Sequence, residues 1–405
     1  MPGSDNGSRS GGGPRPLEGL LVVGLEVAVA APIATRHLAD MGARVVKVEN
    51  PRGGDFARYY DTALDGMAAH FVWVNRNKES LTLNLADPRG AAAMERLLSR
   101  ADVLIQNLAP GAAARRGFAA EQVCARHPRL VAVDISGYGE GGPLSHKRAY
   151  DLLIQSEGGS CAVTGEPGRP AKAGIPLADL GSGMYALSSV LAALYARQST
   201  GRGSAISLGL FDVVTEWMGY PLNFTMGTGV EQEPAGVGSP AVAPYGAYPT
   251  ADGQMVVLGT TNDGEWQRLA RTVLGRPDLA DDPDFAGNAD RVRERSRLDE
   301  VITAWTKSVT LVEAQKILDA AGLGNARLNG VQDVLDHPHL AARDRWREVK
   351  TPTGVVRALL PPPVAAEWSP PMNAVPALGE HTDAVLAELG YAADEIETWR
   401  RDGVV

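Results

Sequence analysis

Short apolar runs that alternate with helical stretches constrain this chain more than any other feature. Leu20–Glu26 (LLVVGLE) reads as a buried strand, Ile33–Met41 as a helix and Arg44–Glu49 (RVVKVE) as a second strand. Asp87-Pro88 supplies an N-cap and a first-turn proline for a helix through Ser99. Asp102–Gln106 (DVLIQ) and Leu130–Ile135 (LVAVDI) are further strands. Strands and helices in this order predict an α/β fold, an open parallel, Rossmann-like sheet with helices on both faces. A long helix follows Asp179 and ends near Gly201, and Ala205–Leu210 (AISLGL) adds another strand.

The pattern changes after about Tyr220. Gly229–Val242 is rich in glycine and proline and reads as a linker; Ala247–Thr260 reads as a hairpin around Asp252-Gly253. Polar helices from Gly264 to Ala321 complete a smaller α+β domain, followed by a proline-rich stretch at Leu360–Pro371 and a helix from about Thr382 to Leu389. The expected division is a tail at residues 1–16, a large domain at 17–225 and 335–405, and a small domain at 226–334. The tail is rich in Gly, Ser and Pro with no apolar core segment, so it reads as disordered rather than as a signal peptide.

With 405 residues and a net charge of −9, the chain has ample core and no basic block, which argues against nucleic-acid binding. Cys124 and Cys161 lack metal or redox spacing, so a reducing cytoplasm is the expected compartment. No apolar run reads as long enough to span a membrane. The histidines show no metal-ligand spacing, and His381 reads as structural.

One carboxylate stands out. Asp179 lies in Pro176-Leu177-Ala178-Asp179-Leu180-Gly181-Ser182-Gly183-Met184, just before the apolar helical run. That places it at or near a helix N-terminus, on a turn that Gly181 and Gly183 would make flexible enough for a ligand to approach. Exposed N–H groups there stabilise negative charge. Such a carboxylate can act as a nucleophile or as an acid/base. Aspartate is equally a favoured N-cap, and the residues alone leave both readings open.

Gly137-Tyr138-Gly139-Glu140-Gly141-Gly142 fits G-x-G-x-x-G, but Pro143 and the polar Ser145-His146-Lys147-Arg148 follow instead of an apolar helix. The first strand, where a dinucleotide fingerprint belongs, lacks the pattern, so a glycine loop lining another ligand is the better reading. Asn75-Arg76-Asn77-Lys78 and Arg115-Arg116 could bind phosphates or form solvated turns.

Taken in order, these segments resemble the family III CoA-transferases, the formyl-CoA transferase and carnitine CoA-transferase group. The resemblance runs from about Leu17 to the C-terminus through Gly42–Glu49, Gly54-Asp55 with Arg58, Asn75–Leu81, Asn107 with Pro110-Gly111, Ile135–Gly139, Tyr150-Asp151, Asp179 with Gly183-Met184, Thr200–Gly203 and Ala377–Thr382. It implies a large and a small domain and a homodimer of two interlocked chains. It implies that Asp179 is the nucleophile, passing through aspartyl anhydride and aspartyl-CoA thioester intermediates, with backbone N–H groups of the glycine turn holding the oxyanions. Coenzyme A enters as substrate and no tightly bound cofactor is needed. Carried over position by position, Val29, Ala30, Asn75, Lys78, Asn107, Leu108, Arg115 and Tyr138 would contact CoA. Asn50 and Leu108 depart from the residues common in the group, an arginine and a phenylalanine.

The α-methylacyl-CoA racemases share the fold but carry a His-Asp pair where this chain has Tyr150-Asp151, which weakens that alternative, and a CoA-binding protein without catalysis is a third. The stretch from Tyr150 to Gln155 with Ala173–Asp179 looks like the subgroup acting on dicarboxylates such as mesaconate, succinate, malate, citramalate or itaconate. A C4–C5 dicarboxylate needs a cation for its remote carboxylate; Arg52 and Arg58 are the candidates, with Tyr150 beside them as a substrate contact.

Overall fold

The computed structural model describes residues 13–405. The expected tail therefore lies, through residue 12, outside the described residues. Its last part is ordered: Gly13 N–H donates to the Glu367 carbonyl at 3.0 Å and Arg15 Nε to that of Ser369 at 3.2 Å.

The alternating half folds as its pattern predicts. Strands β1 (Leu21–Leu25), β2 (Arg44–Glu49), β3 (Lys78–Thr82), β4 (Val103–Gln106), β5 (Val131–Ser136) and β6 (Ala205–Gly209) form one sheet in the order β3-β2-β1-β4-β5-β6, every pair parallel. The strand order reverses between β1 and β4. In a doubly wound sheet the loops at the carboxyl ends of those two strands splay apart and leave a crevice.

Helix α1 (Ala30–Asp40) connects β1 to β2 and is buried along its whole length. Helix α2 (Pro88–Leu98) starts as its sequence requires, with the Asp87 carboxylate accepting from Arg89 N–H and proline in the first turn. Helix α3 (Asp151–Glu157) precedes α4 (Leu177–Thr200), which ends on Gly201 at φ +68°, a left-handed cap that glycine takes without strain. Helix α5 (Leu210–Trp217) packs on α4.

Two expectations need correction here. Gly181 and Gly183 lie inside α4, not on a flexible turn. A Cβ on Gly183 would sit 2.1 Å from Ile33 Cγ2 and 2.7 Å from the Ala30 carbonyl oxygen, so this glycine lets α1 and α4 touch backbone to backbone. The expectation of no membrane-length apolar segment also fails on α4. Its 24 residues are long and apolar enough to cross a membrane by length and composition, yet α4 packs along α1, and 39% of its most apolar window is buried.

The chain divides into two compact units. The first takes in residues through Gly158, Gly174–Met218 and Ala342–Val405; the second takes in Gly159–Ala173 and Gly219–Ala341. Gly159–Ala173, assigned to the large domain from sequence, clusters with the second unit, where Gly236 N–H donates to the Gly165 carbonyl at 2.7 Å. The second unit is built on an antiparallel sheet of Tyr245–Pro249, Met255–Gly259 and Asn325–Arg327, with a reversal at Gly253 and a core around Trp266, Phe285, Leu298 and Ile302. In the first unit, Thr382–Glu388 and Ala393–Arg401 close the sheet face that carries α2.

Candidate active site

The crevice is present and it holds Asp179. A cavity of about 570 Å³ is lined by Val27–Ala30 after β1, Asn107–Pro110 after β4 and Ile135–Gly137 from the end of β5. Arg148–Asp151, Pro176, Asp179 and Leu210 line it as well, with the aromatic side chains of Phe56, Tyr60 and His70. All of these belong to the first unit.

Asp179 is the third residue of α4. It is not the N-cap, and its neighbourhood shows why it need not be. Ala178 N–H donates to Asp151 Oδ1 at 2.9 Å, so a carboxylate from α3 caps α4 from outside, while Asp151 Oδ2 accepts from Gln155 Nε2 at 2.8 Å. Asp179 thus sits in the first turn, where the helix dipole favours a carboxylate. The N–H groups of Gly181 and Gly183 belong to the i→i−4 ladder of the helix, which removes the glycine turn as an oxyanion hole. A different donor faces the same cavity. The Tyr60 phenol is pushed above its ordinary range, by burial first and then by the negative charges of Asp55 and Asp179, and so keeps its proton.

Six of the residues singled out from sequence meet at this cavity: Val29, Ala30, Asn107, Leu108, Tyr150 and Asp179. Asn107 also holds the turn after β1 from both sides, its Oδ1 accepting from Val27 N–H at 2.9 Å and its Nδ2 donating to the Val27 carbonyl at 2.8 Å. Ala28 in that turn has φ +59°, unusual for a residue with a side chain, and its N–H is fixed by Asp55 Oδ1 at 3.0 Å. A second cleft of about 340 Å³ adjoins the first, sharing Val27, Leu108 and Ala109, and is lined further by Asn50, Asn84 and Arg116.

The other candidates lie elsewhere. Asn75 and Lys78, expected as phosphate contacts or a solvated turn, are neither: both are buried. Lys78 Nζ donates to Glu26 Oε1 at 2.7 Å, the Pro32 carbonyl at 2.9 Å and Asn75 Oδ1 at 3.0 Å. Burial pulls its pKa down to about 8 against the attraction of Glu26. Lys47, equally buried, pairs with Asp55 Oδ2 at 2.9 Å, and Asp55 with Glu26 outweighs the burial that would neutralise it.

Arg58, expected to meet a substrate carboxylate, already grips Glu49 with two bonds of 2.8 and 2.7 Å and stacks 3.8 Å over Phe71. Burial would raise the Glu49 pKa; Arg58 and Lys47 instead bring it to about 2. Arg52 is exposed on a turn and lines no cavity wall around Asp179. Arg115 ends the short helix Ala112–Arg115 on the surface. The Tyr138 hydroxyl donates to Glu157, which also accepts from Lys147 Nζ at 2.8 Å, so Tyr138 belongs to a polar trio off the cavity wall. Among the described residues no group of three or more His, Cys, Asp or Glu forms a metal site.

Sequence reasoning missed Phe56, Tyr60, His70, Arg148 and the capping role of Asp151. Arg148 stands in the polar stretch Ser145–Arg148, which reads from sequence only for the apolar helix it lacks. Phe56 and Tyr60 offer no pattern, because only the sheet order brings the segment after β2 to the crevice.

The sequence model of CoA-transferase family III matches residues 17–382. A succinyl-CoA–D-citramalate CoA-transferase of Chloroflexus aurantiacus is 33% identical over 393 residues, covering 95% of this chain and 96% of that protein. A succinate–glutarate CoA-transferase of Agrobacterium fabrum is 34% identical over 391 residues, covering 92% and 96%. The solved structure of a CaiB/BaiF family protein from Brucella suis superposes with a TM-score of 0.79 at 32% identity, covering 93% of this chain and 99% of that one.

Proposed function

The chain belongs to CoA-transferase family III, and from that premise we propose that it passes CoA from an acyl-CoA thioester to a C4–C5 dicarboxylate through covalent intermediates on Asp179. The observation that carries the proposal is the place of Asp179, in the first turn of α4 and on the wall of the switch-point cavity that Val29, Ala30, Asn107 and Leu108 also line.

A carboxylate oxygen of Asp179 attacks the thioester carbonyl carbon. The carbon–sulfur bond breaks, leaving an aspartyl–acyl anhydride and CoA thiolate. The thiolate attacks the aspartyl carbonyl of the anhydride, expelling the donor acid as its carboxylate and leaving an aspartyl-CoA thioester. The acceptor carboxylate attacks that carbonyl, forming a second anhydride and freeing the thiolate. Attack of the thiolate on the acceptor's acyl carbon gives the new acyl-CoA and restores Asp179. Each anhydride keeps its acyl group activated, so a weak nucleophile suffices. The protonated Tyr60 phenol and the N-terminal dipole of α4 would stabilise the oxyanions. The adjoining cleft would take the nucleotide end of CoA.

The choice of a dicarboxylate is supported by the two curated relatives, whose names pair succinyl-CoA with citramalate and succinate with glutarate. A homodimer is supported by the apolar side chains α4 leaves exposed, Met184, Tyr185 and Tyr195. The cytoplasm is the compartment this reading assigns. The racemase alternative loses ground because Asp151, the partner of the missing histidine, serves as the cap of α4.

The test is mass spectrometry of the protein incubated with succinyl-CoA and quenched with hydroxylamine or borohydride, beside Asp179→Ala. The expected outcome is a modification at Asp179 that the variant lacks. Transfer of CoA by wild type with no trapped species at Asp179 would sink the covalent route.

A further inference from the structure

We propose that Arg148 is the residue that selects dicarboxylyl groups, pairing with the carboxylate at the far end of the acyl chain; this rests on the CoA-transferase reading above and deepens it. The cavity wall carries two carboxylates, Asp151 and Asp179, and among the described residues Arg148 is the only lysine or arginine that lines it. A succinyl or glutaryl group brings a further negative charge to within a few ångströms of Asp179. Partly removed from water, such charges repel by about 4 kcal/mol at 4 Å unless a cation answers them.

The other cations near the sheet edge are committed. Lys47 and Lys78 are buried against Asp55 and Glu26, and Arg58 holds Glu49. Arg148 is exposed to the cavity and has no hydrogen bond or ion pair with another described residue.

Its backbone is nevertheless fixed. A Cβ on Gly137 would lie 2.3 Å from Ala149 Cβ, so the glycine loop after β5 presses directly against the residue next to Arg148. Three residues on, Asp151 caps α4 through Ala178 N–H. The segment bearing Arg148 is therefore tied both to the sheet edge and to the turn that carries Asp179. The remaining wall supplies Val29, Phe56, Tyr60 and Leu210, which suits a short hydrocarbon spacer between two carboxyl ends. A planar guanidinium matches a carboxylate with two parallel hydrogen bonds; an ammonium does not.

The experiment compares Arg148→Gln and Arg148→Lys with wild type, using succinyl-CoA and glutaryl-CoA against their uncharged counterparts butyryl-CoA and pentanoyl-CoA, with kcat/KM for each. The preference for the charged donors should fall roughly 10- to 100-fold in Arg148→Gln, the value of one charge-assisted pair, and recover in part in Arg148→Lys. A general loss of folding or of chemistry would lower all four donors together and leave the ratio in place. An unchanged ratio in Arg148→Gln overturns the assignment. So does a wild type that favours the uncharged donors, which would also overturn the dicarboxylate reading. Failure of the covalent route alone is read separately, from the absence of a trapped species on Asp179 while the donor preference survives.

Discussion

A single methyl group added at Gly183 should loosen the cavity around Asp179 from behind. Gly183 faces α1 inside α4, and the added Cβ would meet Ile33 Cγ2 at 2.1 Å and the Ala30 carbonyl oxygen at 2.7 Å. Comfortable contact is about 3.5–4.0 Å for carbon. Ile33 is β-branched and in a helix has little freedom to rotate away. The Ala30 oxygen is backbone and moves only with α1. Relief therefore requires the start of α1 to retreat by roughly 1–2 Å, judged against that contact distance. Replacing a helical glycine with alanine is worth about 1 kcal/mol in helix propensity, whereas overpacking a tight core costs about 1–3 kcal/mol. With backbone as the obstacle the upper part of that range applies, and Gly183→Ala should lose about 1–2 kcal/mol net. The displaced residues, Val29 and Ala30, line the cavity, so kcat/KM for CoA transfer should fall by about 10-fold or more. Gly181→Ala is the matched control. Its Cβ would meet the ends of Trp217 and Val213 side chains at 2.7 and 2.8 Å, and Trp217 is half exposed and can swing aside. Urea unfolding followed by tryptophan fluorescence, with steady-state transfer assays, reads both effects. A Gly183→Ala protein as stable and as active as wild type would refute the idea that this glycine sets the spacing of α1 and α4.

Two further outcomes concern Asp151 and His37. Asp151→Ala should lose about 1 kcal/mol by thermal or urea unfolding and slow trapping at Asp179 severalfold, whereas Asp151→Asn, an equally good cap, should stay near wild type in both; abolition of trapping by Asp151→Asn would make Asp151 a participant in the chemistry. His37, buried on α1, has its pKa lowered from 6.5 to about 3 by burial and by the nearby Arg36 and Arg76. The unfolded chain then takes up a proton below pH 6.5 that the folded chain refuses, so stability present above that pH is lost as pH falls toward 3, by about 2 kcal/mol over the first 1.5 units. His37→Gln should flatten this part of the profile of urea midpoints against pH, and identical slopes would count against it.

The sheet was legible because parallel strands buried on both faces must be written as short apolar runs, and helices packed over them as longer ones. Five of the six strands fall within a residue or so of the runs at Leu20–Glu26, Arg44–Glu49, Asp102–Gln106, Leu130–Ile135 and Ala205–Leu210; β3 does not read as a strand, because its polar start at Lys78 looks like part of a surface turn. The site was legible only through its ordered motifs, since crevice walls come from loops whose proximity depends on strand order. Burial of charge was not legible at all. Asn75-Arg76-Asn77-Lys78 looks like surface, because the carboxylates that neutralise it, Asp40 and Glu26, lie far back in the chain. The helical glycines misled for a related reason: their i→i+2 spacing looks like a flexible turn until a partner helix is known to press on one of them.

Lys78, which sequence placed on CoA, instead supports the cavity wall from beneath, together with Lys47. The turn Val27–Ala30 leaves β1 with Ala28 at φ +59°, a conformation that costs a residue with a side chain of order 1 kcal/mol and persists only where neighbours enforce it. Asp55 binds the Ala28 N–H, Asn107 binds Val27 on both sides, and Lys47 donates both to Asp55 and to the Glu26 carbonyl just before the turn. Lys78 then holds Glu26 and the Pro32 carbonyl of α1 together. Beside this charged layer, Gly183 brings α4 against Ala30. The turn is thus fixed from beneath by ion pairs and from the flank by helix contact, and Asp179 rides on the same α4 four residues before Gly183. A lysine under the wall can matter to CoA transfer without touching CoA: loss of Lys47 or Lys78 would leave buried carboxylates unpaired and free the strained turn, so its first effect would be on the shape of the cavity.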